Sequence, residues 1–372
     1  MNVLLINCIL YSSSTRTITR RESVADCLIC DVARGFLRLG HTVTVLAAED
    51  YKPLRDENLG FRIVFLKSAL KHLLPPALPW LPGLRGWLKR HGNEYDLIVS
   101  SEMLSLATLT VRRVCPQHLL VWHELAIKPR ALFKLPAHVW YGLVVPLFMR
   151  KCRVVARSHE ARRFLMRQGV KHVSPVTVEH GVDEQVFVPA EVSDNVFVTI
   201  ARLVEVKRVD HIIQAFARLV QRSGREHFRL AVVGDGPLRQ HLRSLADNLG
   251  VGHAVEFTGQ IGHSRLAGLL NKAIALLVSP ARDNNLVSIV EAVASGTPVL
   301  TNSVPSNAAA IKQWGLGIVA DDWDADHLEV MIQRREEFHK ACIAHRQAFT
   351  STGCAQALIN TFGDTSWQES NE

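Results

Sequence analysis

Apolar runs of strand length alternate with helix-length amphipathic segments along nearly the whole chain, and the series starts twice. The first set comprises Val3–Ile6, Val43–Leu46, Ile63–Leu66, Leu97–Val99, Leu119–Trp122, Val154–Ala156 and Val176–Val178. The second comprises Val196–Ile200, Leu230–Val233, Val255–Thr258, Ile274–Val278 and Pro298–Leu300. Runs apolar throughout suit strands buried on both faces, which crossover helices must cover, so the alternation predicts parallel α/β sheets. Ala25 to Leu39 has helical spacing and stops at Gly40. Two starts in 372 residues predict two doubly wound domains. Periodicity is lost, with Pro189, in "VDEQVFVPAEVSD", which sets the domains at 1–185 and 186–372, the last helix being free to pack back on the first. A cleft facing the C-terminal ends of such strands suits a nucleotide.

The net charge of +8 points to an anionic partner without choosing among a phosphate ligand, a membrane surface and nucleic acid. No basic module with interleaved aromatics is present, which argues against nucleic acid. Seven scattered cysteines argue for a reducing compartment, and the Cys27/Cys30 pair inside a helical pattern reads as core. No signal-peptide pattern opens the chain, and no apolar run reaches the ~20 residues of a membrane span. These features predict a cytosolic protein, or one attached to a membrane from the cytosolic side. Two segments could make that attachment: "KSALKHLLPPALPWLPGLRGWLKRH", from Lys67 to His91, and "HVWYGLVVPLFMRKCR", from His138 to Arg153. Both mix Leu and Trp with flanking basic residues, as interfacial segments do, and both read equally well as interior pieces of the first domain.

Three motifs carry chemistry. In "VTIARLVEVKRVDHIIQAFARL", Arg202 and Lys207 follow a strand and precede a helix, where two fixed cations can hold a diphosphate. In "FRLAVVGDGPLRQHL", Gly234 and Gly236 make a tight strand-to-helix turn that lets backbone approach a ligand, with Pro237 opening the helix. In "PARDNNLVSIVEAVASGTPVL", Asp283 and Glu291 flank a polar loop and a helix start. Ser288 to Glu291 reads as a capping box. The same helix N-terminus reads as an anion site with carboxylates for sugar hydroxyls.

In order, spacing and context, these motifs resemble the donor-binding domain of the retaining nucleotide-sugar glycosyltransferases of family 4, which have the glycosyltransferase B fold (GT-B), two Rossmann-like domains facing across a cleft. The resemblance runs from about Val196 to Gly317 and more loosely through the first half. It implies that Arg202 and Lys207 bind the diphosphate, that Glu291 binds the ribose, and that Asp283, where relatives more often have Glu, contacts the donor sugar. The backbone of Asn285, Leu286 and Val287, with Ser288, is implied to meet sugar and phosphates. His123, ending "LLVWHEL", looks like the family's histidine beside the reacting sugar, and the alternative is a structural histidine at a strand end. Ser158 stands where a strand meets a helix, and His180 replaces the Asn of the family's Asn-Gly-Val-Asp turn. The Gly-Gly pair of many relatives is missing from "SSSTRTITRRESVADCL", so Arg16, Arg20 or Arg21 is expected to supply charge there.

The implied reaction is transfer of a hexose from a UDP-, GDP- or ADP-sugar to a glycan or lipid-linked acceptor, without a cofactor or metal, in surface polysaccharide or glycolipid assembly. The catalytic set is His123, Arg202, Lys207 and Asp283. "DDWD" at Asp321–Asp324 could pass for a metal motif but reads as a helix N-cap. The rival readings are a nucleotide-sugar epimerase or phosphorylase on the same scaffold, and a sugar-nucleotide-binding protein whose catalysis has decayed.

Overall fold

The computed structural model describes residues 1–11, 18–72, 74, 78–126, 134–191 and 195–364. Its chain divides into two compact units: Met1–Gly181 with Ser351–Glu372, and Val182–Thr350.

The first unit holds β1 (Asn2–Ile6), β2 (Thr42–Ala48), β3 (Arg62–Leu66), β4 (Leu97–Ser101), β5 (Leu119–His123), β6 (Val154–Ala156) and β7 (Val173–Thr177). They form one sheet in the order β3-β2-β1-β4-β5-β6-β7, and every pair is parallel. The centre is apolar on both faces: Leu4, Leu5, Leu97, Ile98, Leu120 and Val121 are buried. The strand order turns back between β1 and β4, the switch point at which open α/β sheets leave a crevice past their strand ends.

The second unit holds β8 (Val196–Ile200), β9 (Arg229–Val233), β10 (Val255–Gly259), β11 (Ala275–Leu277), β12 (Val299–Thr301) and β13 (Gly317–Val319). The order is β10-β9-β8-β11-β12-β13, again all parallel, with the switch between β8 and β11. The period-two rule divides its core in two. Phe197, Leu230, Val232, Leu277 and Leu300 pack on one face, and Val198, Ala231, Val233, Leu276 and Val299 on the other.

Three expectations need correction. The domain boundary, expected at 185/186, falls at Gly181/Val182, while the residues from Ser351 belong with the first unit, a return that the sequence reading left open for the last helix. The helix Ser351–Gly363 packs on the helix Leu28–Arg38. Gly35 admits it, since a Cβ there would lie 2.1 Å from the Ser351 carbonyl oxygen, and Arg38 donates to Ser351 Oγ at 3.0 Å. Secondly, β13 is missing from the expected second set of apolar runs, because its three residues are too short for a pattern. Finally, Pro237 precedes the helix Arg239–Asn248 and its N-cap Leu238 instead of opening it.

Cys27 and Cys30 are buried thiols, and burial pushes Cys27 up to about 11, as core residues require. Part of the Lys67–His91 segment, at 73 and 75–77, lies outside the described residues. Its helix, Leu84–His91, turns Leu84, Trp87 and Leu88 into the core, while Trp80 stays partly exposed. The second segment differs. The helix Lys134–Val139 continues as a wider π-type helix, Trp140–Met149. One of its rows (Tyr141, Val145, Met149) is buried, and another (Val139, Leu143, Leu147, with Phe148 beside it) faces outward. Among the described residues, no helix is long and apolar enough to cross a membrane.

Candidate functional site

The second unit gathers the expected donor-side residues at its switch point. β8 and β11 are parallel neighbours, so the loops that follow them emerge side by side. The Ala281 N–H donates to the Val206 carbonyl at 2.8 Å and ties these loops together. Lys207 and Asp283 thereby meet as an ion pair, each about one-fifth exposed, and Asp283 Oδ1 accepts the Asn284 N–H at 3.0 Å. Arg202 is exposed at the start of the same loop. The Asn284 carbonyl takes the Ser306 N–H at 3.0 Å.

The capping box is not formed. The helix is Val287–Ala294, its N-cap is Leu286 and no side chain caps it. Ser288 lies inside the first turn, its buried Oγ without a partner among the described residues. Leu286 is extended because Asn307 holds it on both sides, accepting its N–H at 3.4 Å and donating to its carbonyl at 2.9 Å. That clamp sets the N-cap at Leu286, two residues earlier than the Ser288 N-cap that the Ser/Glu spacing suggests. Glu291 is buried, with His263 Nε2 at 3.9 Å from its carboxylate.

Gly234 and Gly236 also have a local cause. Gly234 has φ +121°, and a Cβ would lie 2.0 Å from the Ala201 carbonyl oxygen; at Gly236 it would lie 2.4 Å from that of Leu203. The backbone these glycines admit is the chain's own loop carrying Arg202, which the Asp235 carbonyl also holds through the Leu203 N–H at 2.9 Å. They seat the cation loop.

In the first unit a polar cluster sits where β4, β5 and β6 end. His123 is fully buried, and its Nδ1 lies 2.8 Å from Glu102 Oε2. Its Nε2 has no partner among the described residues. Glu102 also accepts the Glu124 N–H at 2.9 Å. Burial alone would raise the Glu102 pKa, but the His123 imidazole and the Arg157 guanidinium outweigh it and lower the value to about 2. Arg157 lies over the Trp122 ring at 4.0 Å, pairs with Glu124 at 2.6 Å and donates to His180 Nε2 at 2.7 Å. Burial, then the Arg157 charge, holds His180 well below its ordinary pKa, so it is neutral. Ser158 caps the following helix by accepting the Ala161 N–H at 3.1 Å.

Glu102 and Arg157 were absent from the sequence expectations. Their one signal was position, a charged residue directly after an apolar strand. Among the residues expected to replace the Gly-Gly pair, Arg20 donates to the Glu49 carbonyl at 3.2 Å and Arg21 lies over the Tyr11 ring at 4.2 Å. Arg16 lies outside the described residues. Asp324 caps the helix Ala325–Gln333, accepting the Asp326 N–H at 3.1 Å, and Asp321 accepts the Ser303 N–H at 2.9 Å.

Two doubly wound parallel-sheet units, one with cations beside an uncapped helix at its switch point, define a GT-B protein. The chain belongs to the family 4, group 1 glycosyltransferases: the Glycosyltransferase Family 4 model matches 28–186, and Glycosyl transferases group 1 matches 183–342. It is 24% identical over 324 residues to a D-inositol 3-phosphate glycosyltransferase of Corynebacterium aurimucosum, covering 77% of this chain and 70% of that one. It is 26% identical over 158 residues to an uncharacterised glycosyltransferase of Methanocaldococcus jannaschii, covering 38% of this chain and spanning 40% of the length of that relative. The crystal structure of Anabaena HepE in complex with UDP aligns over 98% of this chain and all of that one, with a TM-score of 0.67 at 15% identity.

Proposed function

We propose that the protein transfers a hexose from a nucleoside diphosphate sugar to a hydroxyl of a glycan or lipid-linked acceptor, with retention at the anomeric carbon. The observation that carries this reading is Lys207, held by Asp283 at the β8/β11 switch point beside the uncapped helix at Val287. The leaving diphosphate gains negative charge as the glycosidic bond breaks. An ammonium, the nearby Arg202 guanidinium and a helix N-terminus are suited to stabilise that charge. In this reading Lys207 leaves Asp283 for the diphosphate, Asp283 turns to the donor sugar, and Glu291 takes the ribose hydroxyls. The protein's own cations do the work for which a metal ion would otherwise serve. The UDP bound in HepE supports a nucleotide donor.

The outward row Val139, Leu143 and Leu147, with Arg150 and Lys151 just beyond, supports work against the cytosolic face of a membrane, in surface polysaccharide or glycolipid assembly. Leu143→Glu with Leu147→Glu is expected to abolish sedimentation with anionic vesicles; unchanged sedimentation would remove the membrane from the proposal.

The first experiment is a panel of nucleoside diphosphate sugars, read as thermal stabilisation and nucleotide release, with and without a membrane extract and with EDTA. One donor should stabilise the protein, release should need the extract, and EDTA should change neither. Stabilisation without release would establish the decayed binding protein instead, and no stabilisation by any donor would end the donor-site reading.

A further inference from the structure

Glu102, directly after β4, has φ +70°, a left-handed conformation disfavoured by about 1–2 kcal/mol for a residue with a side chain. Its backbone is held on both sides: the N–H donates to the Trp122 carbonyl at 3.2 Å, and the carbonyl accepts from Thr108 Oγ1 at 2.7 Å. Its carboxylate is held as firmly. Oε1 accepts the Glu124 N–H at 2.9 Å, and Oε2 meets His123 Nδ1 at 2.8 Å with the Leu125 N–H at 3.5 Å. The Met103 N–H also reaches His123 Nδ1, at 3.3 Å, so this nitrogen ties the ring to both residues that follow β4, while Nε2 has no partner among the described residues. The imidazole has no exposed surface, whereas the Glu102 side chain is 31% exposed. A carboxylate offers about four acceptor positions, so these donors do not exhaust it. A strained backbone that its surroundings over-determine, presenting one polar edge outward, is the pattern of a ligand site.

We infer that Glu102 is a substrate-binding residue of the first unit, accepting a hydrogen bond from a hydroxyl of a polyhydroxylated acceptor, with His123 as the buried positioning residue that fixes its carboxylate. The inference rests on the transferase reading and deepens it. The partly exposed carboxylate of Glu102, in front of the buried imidazole, takes the contact.

The test uses the full chain with 15N-labelled histidine, the His123 signal being identified by its loss in His123→Gln. Glycerol, myo-inositol and methyl α-glucoside are the probes. At least one should move the His123 resonance in the wild type, and none should in Glu102→Gln, which must still show donor-dependent thermal stabilisation as proof of folding. No movement in the wild type, or movement retained in Glu102→Gln, overturns the inference. Where nucleotide-sugar-dependent transfer is found, Glu102→Gln should raise the acceptor KM about tenfold or more with the donor KM within about twofold; an unchanged acceptor KM overturns it equally. A wild type that transfers to no acceptor ends the transferase reading, and the resonance titration then decides Glu102 by itself.

Discussion

At the residue scale, Lys207 and Ser288 show how neighbours decide a side chain's meaning. Lys207→Ala removes the cation nearest Asp283 and should lower kcat by about 100-fold, measured as nucleotide release at saturating donor. Ser288 gives the opposite expectation. A capping serine would cost about 0.5–2 kcal/mol on replacement by alanine, but this hydroxyl caps nothing, so Ser288→Ala should change unfolding free energy by less than about 0.5 kcal/mol. Glu102 makes acid stability testable. Its folded pKa, about 2, lies below the ordinary value of 4.5, so the stability it contributes is complete above about pH 4.5 and is lost as pH falls toward 2. Denaturant titrations across that range should show the wild type losing stability relative to Glu102→Gln; parallel curves would mean the carboxylate is not held as described.

At the element scale, the glycines are places where one backbone touches another. Gly35 lies inside the helix Leu28–Arg38, a position where glycine is intrinsically unfavourable, and its reason is the Ser351 backbone. Gly35→Ala should therefore destabilise the protein by about 1–3 kcal/mol, although the same change in an exposed helix would stabilise it. An unchanged Tm would show that the Ser351–Gly363 helix does not sit as described. The Asn307 clamp on Leu286 belongs to this scale too. It fixes the start of the Val287–Ala294 helix from another segment, which the local Ser/Glu pattern does not record.

For the whole molecule, the division into units predicts unequal consequences of truncation. Val182–Thr350 is continuous and has its own core on both sheet faces, so it should fold alone and keep donor-dependent thermal stabilisation. Ending the chain at Thr350 uncovers the helix Leu28–Arg38, where Cys354, Ala355 and Leu358 belong to the first unit's core. That truncation should lower the first unit's unfolding transition and leave the second's in place, as calorimetry would show. A single unchanged transition would contradict the assignment of the C-terminal helix.

Parallel architecture, the two units and the positions of Arg202, Lys207, Asp283 and Glu291 were legible before any coordinates, because each rests on local pattern: apolar runs, turn residues, and a charge at a fixed offset from a strand end. What was illegible depends on contacts between segments far apart in the chain. The His123–Glu102 pair joins the ends of β4 and β5, and His180 and Arg157 meet only because β6 and the chain after β7 lie side by side. The glycines of the 234–236 turn look like a ligand cradle in sequence and prove to seat the Arg202 loop, since what fills the space above a missing Cβ is decided by the fold. Strand periodicity is written residue by residue; the burial of His123 and the exposure of Glu102 come from how neighbouring strand ends cover one another.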